Sequence, residues 1–362
     1  MKGKHMEKDL KRDPFEEYIK EADPSRHETA YYWQTAIGLQ AVDGLEPSGY
    51  LKETAKRNIE GNISIARAQE LIESYYQENP KGVDDRTEEA DKVSARIAAV
   101  LAEKAFVFSS TQYLSIHGKL FKGIYSHAGK IRDYNITKNE WVLDGDTVLY
   151  GGAAELRETL EYDLRTEQDF SYAGLTMQEV IRHLAKFISR LWQIHVFGEG
   201  NTRTTAVFFI KYLRSLGFDV TNDIFAKNAW YFRNAMVRAN YTNLKKGVHE
   251  TTEYLEMFLR NLLLGESNLL HNRSMHISGV FNTDTKDDDP INDPINDPIK
   301  LTAREEKLLR FLHEEPELTR KELAEKLGCS DSTVKRELQY LVEKGVLRRI
   351  GSRKAGAWVI SM

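Results

Sequence analysis

HVFGEGNTRTT, residues 195–205, joins two runs of helix-forming sequence through a loop bracketed by glycine. Upstream, Met177, Val180, Ile181, Leu184, Phe187, Ile188 and Leu191 fall on one helical stripe over 177–194. Downstream, Val207, Ile210, Leu213 and Leu216 continue a second stripe over 202–216, and Gly217 ends it. Gly198 and Gly200 open backbone conformations closed to other residues and let a ligand approach closely. The loop feeds a helix expected to begin near Thr202, whose free N–H groups and dipole attract phosphate oxygens. Arg203 adds a fixed cation suited to a polyphosphate. Glu199 is a hard oxygen ligand placed where magnesium could bridge it to those phosphates, and His195 can accept a proton near neutral pH. A base, an acid and a cation in one loop point to phosphoryl or nucleotidyl transfer, in which positioning and charge neutralisation supply most of the catalysis. In that chemistry His195 would deprotonate an incoming hydroxyl.

The rest of the chain sets limits on this reading. Its 362 residues suffice for two or more domains, and 41% hydrophobic residues can supply a core. A net charge of −4 excludes a molecule that is basic all over, so any nucleic-acid-binding surface must be local. The single cysteine, Cys329, excludes a disulfide framework and a cysteine zinc site and fits a reducing cytoplasm, the expected location. The charged N-terminus lacks the apolar core of a signal peptide. No run of about 18 apolar residues occurs, so no membrane partner is expected.

Four regions are expected: an N-terminal helical segment over 1–88, a catalytic domain over 89–270, a linker over 271–300 and a C-terminal domain over 301–362. The linker repeats Asp-Pro-Ile-Asn through Pro290, Pro294 and Pro298, which defeats helix and central strand and suits an extended acidic spacer. Helical spacing also runs over 89–121. The β-like exception is YNITKNEWVLDGDTVLYGG, residues 134–152, where two β-prone runs flank Asp144-Gly145 and predict a hairpin. A helix is expected to follow from near Ala153.

The loop resembles the motif of the Fic family, His-x-Phe-x-Asp/Glu-Gly-Asn-Gly-Arg-x-x-Arg, here His195, Phe197, Glu199, Gly200, Asn201, Thr202, Arg203 and Ala206. The resemblance covers about residues 90 to 265. It implies a mainly α fold, a Fic-type helical bundle with a β-hairpin flap. It also implies transfer of AMP from ATP to a Ser, Thr or Tyr hydroxyl on a target protein, with ATP and Mg2+ bound. In that reading His195 is the general base and Glu199 positions magnesium. Gly198, Gly200, Asn201, Thr202 and the loop amides hold the phosphates, and Arg203 steadies them. The hairpin, mapped to Asn135–Tyr150, would dock the protein substrate by strand pairing. Two positions depart from the pattern: Thr202 replaces the third motif glycine, and Ala206 replaces the final arginine that grips terminal phosphates. Lys211 and Arg214 are the candidates to replace that cation, and another nucleotide donor stays open.

The stretch from Tyr31 to Tyr76 reads as two or three short helices and resembles the small antitoxin module found with some Fic enzymes. That module carries Ser/Thr-x-x-x-Glu-Gly, whose glutamate pairs with the motif's final arginine. Asp43-Gly44 and Glu60-Gly61 each match in part, with Leu39 and Lys56 where Ser/Thr belongs. By alignment with the module, Asp43 is the inhibitory candidate. Obstruction of the nucleotide pocket and a purely structural cap are both open for this segment.

The C-terminal sequence predicts a small α+β winged helix-turn-helix. Helix one spans about Thr302–His313 with a Thr302/Glu305 capping box. Helix two starts at Thr319, Leu327-Gly328-Cys329 turns, and helix three starts at Ser330 or Ser332, before strands VLRRIG and AWVI. Residues 330–356 carry seven Lys/Arg against three Asp/Glu. Ser332, Thr333, Lys335 and Arg336 lie early in the recognition helix, and Arg348, Arg349, Arg353 and Lys354 decorate the wing, so DNA is the expected partner of residues 301–362. A protein-interaction winged helix is the alternative, and a homodimer is left open. The expected function is thus an AMP transferase, autoinhibited and DNA-tethered. The rival is a transcriptional regulator whose degenerate Fic domain senses nucleotide or modifies only itself.

Overall fold

Hydroxyl side chains start half of the α-helices described. In the computed structural model, which describes residues 15, 24–80, 86–221, 223–278, 299–344, 346–350 and 356–360, Ser or Thr accepts a backbone N–H at seven α-helix N-termini. The order begins with α1 (Pro24–Gly38), a 3-10 turn (Leu39–Asp43), α2 (Gly49–Ile59), α3 (Ile65–Glu78), α4 (Thr87–Ala102) and α5 (Ser110–Phe121). Strand β1 (Asn135–Thr137), a 3-10 turn (Trp141–Leu143), α6 (Leu156–Gln168), α7 (Met177–Ile194) and α8 (Asn201–Ser215) follow. Then come α9 (Ile224–Lys227), α10 (Ala229–Ala239) and α11 (Glu253–Leu264). The C-terminal part is β2 (Ile299–Leu301), α12 (Ala303–Glu314), α13 (Arg320–Leu327), α14 (Asp331–Glu343), β3 (Leu347–Ile350) and β4 (Ala357–Ile360). The expected mainly helical class is what the structure has. No helix among the described residues is long and apolar enough to cross a membrane.

The chain divides into two units: residues 1–129, 202–233 and 257–270 form the first, and 130–201, 234–256 and 271–362 the second. In the first, α1 packs along α4, and its Trp33, fully buried, donates its indole N–H to Asn58 Oδ1 at 2.8 Å. Buried Asp91 of α4 accepts from the Ser48 backbone N–H at 2.8 Å and from the Tyr76 hydroxyl at 2.7 Å, tying three helices together. In the second unit, α7 begins at a Thr176/Glu179 capping box and buries the predicted stripe from Val180 to Leu191 against α6. The C-terminal domain forms the winged helix-turn-helix order expected. Capping boxes at Thr302/Glu305 and Thr319/Glu322 start α12 and α13, Gly328 ends α13 in the left-handed conformation, and Ser330 caps α14. Leu308, Leu312, Leu323, Val334, Leu338, Leu341 and Trp358 close its core. β3 and β4 pair antiparallel from Leu347↔Ile360 to Ile350↔Ala357.

Three local expectations change. The helical run over 89–121 is two helices, because Glu103 adopts an extended conformation and Ser109 restarts the helix by capping Gln112 N–H. The hairpin over 134–152 forms only its first strand. The Asp144-Gly145 turn is present, both residues being left-handed (φ 58° and 81°), and Glu140 N–H closes it onto Asp146 O at 2.8 Å. Beyond that bond, the Thr147 hydroxyl accepts Lys138 N–H at 3.2 Å in place of a backbone carbonyl, so the ladder stops and 147–150 is no strand. β1 instead pairs antiparallel with β2, in register Asn135↔Leu301, Ile136↔Lys300, Thr137↔Ile299. The next helix starts at Leu156 rather than near Ala153, whose N–H is taken by the Asn135 side chain at 2.6 Å. The Asp-Pro-Ile-Asn repeats lie outside the described residues.

Gly38 ends α1 where a Cβ would stand 2.3 Å from Ala226 O and 2.4 Å from its Cα, whereas a Cβ at Gly49 meets nothing within 4 Å. Gly38→Ala is therefore expected to destabilise the protein by about 1–3 kcal/mol through overpacking. Gly49→Ala is neutral or slightly stabilising, and thermal unfolding of the two variants checks the contrast.

Candidate active site

His195 is where α7 stops. It is the C-cap, a non-glycine residue in the left-handed region (φ 52°), with its N–H on Trp192 O at 3.0 Å. The buried ring lies against Tyr150 (centroids 4.3 Å apart) and Trp192 (5.3 Å). Its backbone is gripped by Arg132, which donates Nε to His195 O at 2.7 Å, Nη1 to Tyr134 O at 2.5 Å and Nη2 to Gly151 O. Arg132 N–H also reaches Val196 O at 2.9 Å. Burial pulls the Arg132 pKa down to about 10, yet the group stays charged at neutral pH. One buried guanidinium thus joins the end of α7, the start of β1 and the Gly151 turn.

The loop after His195 is clamped by its own asparagine. Asn201 Nδ2 donates to Phe197 O at 2.8 Å, and Asn201 Oδ1 accepts Phe197 N–H at 3.0 Å, while the Phe197 ring is fully buried. Gly200 takes φ 75°, a conformation that favours glycine, and turns the chain into α8. Glu199 sits with Lys138 Nζ at 3.9 Å and keeps 21% of its side chain exposed. The structure therefore brings His195, Gly198, Glu199, Gly200 and Asn201 into one pinned loop. Asn201 acts on the loop's backbone, a role the sequence reading did not foresee.

Arg203, on the first turn of α8, is 0% exposed. Its Nε ion-pairs with Asp43 Oδ2 at 2.7 Å, Nη1 donates to Gln40 Oε1 at 2.9 Å, and Nη2 donates to Glu89 Oε1 at 2.7 Å and the Tyr125 hydroxyl at 3.1 Å. The guanidinium also lies over the Phe121 ring, 4.8 Å from its centroid. Burial works against its charge, but Asp43, Tyr125 and Glu89 more than offset this, and its pKa lies above the ordinary arginine value. Burial would likewise raise the Glu89 carboxyl, but Arg203, the Tyr125 hydrogen bond and Arg86 hold it below the usual range. Glu60, the other inhibitory candidate, accepts from the exposed Asn62 amide at 3.0 Å.

Ala206 is fully buried in α8. The two cations considered as its replacements are engaged elsewhere. Lys211 donates to Val100 O at 3.0 Å and Glu103 O at 2.5 Å, and Arg214 donates to Leu101 O at 2.9 Å, so both cap the C-terminus of α4. Gln40, Glu89, Tyr125, Arg132 and Lys138 were all missed by sequence reasoning, because each meets its partner from a distant segment and no local pattern marks it. In the C-terminal domain, Ser332, Lys335 and Arg336 are exposed on α14, and the Ser330 hydroxyl bonds those of Ser332 and Thr333 at 2.8 Å each. Arg348 is exposed on β3 and lines a polar cavity of about 570 Å³ with Asp144, Asp146 and Lys246. Arg349 lies over Trp358, 5.0 Å from the ring centroid. Arg353 and Lys354 lie outside the described residues.

Residues 107–213 match the Fic/DOC family. That span runs from before α5 through the pinned loop into the last turn of α8, narrower than the 90–265 of the motif-based resemblance. Residues 304–356 match a helix-turn-helix (HTH) domain. The chain thus carries a Fic domain and an HTH domain, and no curated protein matches it. The Fic match includes the clamped loop, Arg203 and the buried Ala206.

Glu89 tests the balance around Arg203. Its carboxyl pKa is depressed in the fold, so its stabilisation is fully present above the ordinary value of 4.5 and is lost as pH falls through the lower folded value. Glu89→Gln is expected to cost about 3–5 kcal/mol at pH 7, the range for breaking a buried ion pair. The same variant should lose less further stability below pH 4.5 than wild type, as read by thermal unfolding across pH.

Proposed function

We propose that the chain is a Fic-type nucleotidyltransferase that moves AMP from ATP to a protein hydroxyl, held back by its N-terminal segment and tethered to DNA by its HTH domain. The observation that carries the reading is the fixing of His195, whose backbone is gripped by Arg132 and whose following loop is clamped by Asn201. Such a base costs little reorganisation during reaction. The target hydroxyl oxygen attacks the α-phosphorus of ATP while His195 takes its proton. The bond from that phosphorus to the bridging oxygen breaks, and pyrophosphate leaves. Glu199 would hold magnesium, which when bound neutralises phosphate charge. A single carboxylate fits an ion that takes its other ligands from phosphate and water. Among the described residues there is no group of three or more His, Cys, Asp or Glu able to hold a metal by itself.

The brake follows from Arg203. The family resemblance assigns this cation to the donor's phosphates, and here Asp43 and Glu89 neutralise it. Asp43 is the releasable partner, with 22% of its side chain exposed against 9% for Glu89. Phosphates would compete first with Asp43. Ala206 favours a second reading, the nucleotide-sensing regulator, since the motif's last cation is gone and Lys211 and Arg214 are engaged at α4.

Intact mass after incubation with magnesium and each of ATP, GTP, CTP and UTP, with and without lysate proteins, separates these readings. Transfer from ATP is expected for wild type and absent for His195→Ala. Asp43→Ala should raise the rate about tenfold, the effect of removing about 1.4 kcal/mol of competing ion pairing. An unchanged rate in Asp43→Ala removes the brake, and silence with every donor leaves the regulator. For the HTH domain, Lys335→Ala/Arg336→Ala should weaken DNA binding and lower the slope of log affinity against log salt by about 2. A slope that does not move would mean these side chains meet no phosphate.

A further inference from the structure

The resemblance to the Fic family implies that Asn135–Tyr150 docks a target segment by strand pairing, and the edge of β1 is the backbone that would do so. That edge is already taken. β2 supplies residues Ile299 to Leu301 of the same chain, antiparallel and in register with Asn135 to Thr137. Beside the pair lies a mostly apolar cavity of about 610 Å³, lined by Ile136, Val148, Leu149, Leu301, Leu309 and His313 among others. Leu149 keeps 84% of its surface exposed there. β2 runs without interruption into the Thr302/Glu305 capping box of α12, so the HTH domain follows its strand directly.

We propose that Ile299–Leu301 is an intramolecular occupant of a strand-docking edge, standing where an extended segment of a target protein would pair, so that target docking requires release of the strand that leads into the HTH domain. The role of the incoming strand as a transfer target rests on the function proposed above; the occupancy of the edge does not. Pairing over three residues is weak for two separate chains. Within one chain the strand acts at an effective concentration on the order of 1 mM. A partner strand at micromolar concentration is therefore excluded while the HTH strand stays seated, and a modest pull on the HTH domain suffices to free the edge. DNA binding by that domain is the natural source of such a pull.

The experiment uses the full chain with Cys329→Ser as background. Ile136→Cys/Lys300→Cys places two thiols at partnered Cα positions, within the about 4.4–6.8 Å that a disulfide spans. Oxidation is expected to give a cross-linked monomer. A covalent dimer would mean that a second copy supplies the strand, and would overturn the intramolecular reading. The second variant, Lys300→Pro, removes one backbone N–H and disrupts the pairing. A fluorescent synthetic peptide of residues 295–304 is then titrated against each protein by anisotropy. Lys300→Pro should bind it at least tenfold more tightly than wild type, and the oxidised double-cysteine protein should not bind it. Equal binding to wild type and Lys300→Pro, or none to Lys300→Pro, overturns the proposal. The transfer assay on lysate proteins separates the two layers. If the peptide behaves as expected and no variant transfers nucleotide, the edge is a docking site and the transferase reading fails. If transfer to lysate proteins is equal in oxidised and reduced double-cysteine protein, the transferase reading stands and the edge proposal fails.

Discussion

Arg203 is a full positive charge with no solvent contact, and much of the first unit is disposed to keep it there. Moving such a charge out of water costs several kcal/mol unless its donors are met. Partners come from three places: Asp43, as an ion pair, and Gln40 at the 3-10 turn after α1, Glu89 on α4, and Tyr125 beyond α5. Two of the acceptors are fixed in turn, Glu89 by Arg86 at 2.8 Å and by the Tyr125 hydroxyl at 2.6 Å, and Gln40, which donates to Ala36 O at 2.9 Å. The N-terminal segment is therefore built into the neutralisation of a motif residue rather than attached beside it. The antitoxin-like reading expected a carboxylate opposite the motif's final arginine. That position is Ala206, and the carboxylate meets Arg203 instead.

The second unit uses the same device for a different purpose. Arg132 is also a buried guanidinium, but its partners are backbone carbonyls, so it fixes the path of the chain rather than the charge of a side chain. By tying the end of α7 to the residue before β1, it makes the position of His195 depend on the segment expected to dock a target. A disturbance at β1 therefore has a physical route to His195, through two hydrogen bonds of one side chain.

Much of this was legible beforehand. Thr176, Thr302 and Thr319 carry their helix starts in the sequence, because a capping box needs only residues three apart. The stripe of α7 and the order of the winged helix-turn-helix follow from local periodicity and turn residues. His195, Glu199, Gly200 and Asn201 stand out because they are consecutive in one loop. The hairpin misled for a local reason as well: β propensity marks which residues tolerate an extended chain, not which strand they pair with. Ile136 and Thr137 are extended as expected, and their partner comes from more than 150 residues away.

The sequence by itself determined the helical class, the motif loop, the C-terminal domain and the side chains available for chemistry, since all of these rest on contacts within a few residues. The tertiary structure alone decided the partner of Arg203, the commitment of Lys211 and Arg214 to the end of α4, the grip of Arg132 on His195 and the pairing of β1 with β2. Those are contacts between segments far apart in the chain. A buried charge or an open strand edge demands a partner, but only the folded chain settles which of many chemically equivalent carboxylates, carbonyls and strands supplies it.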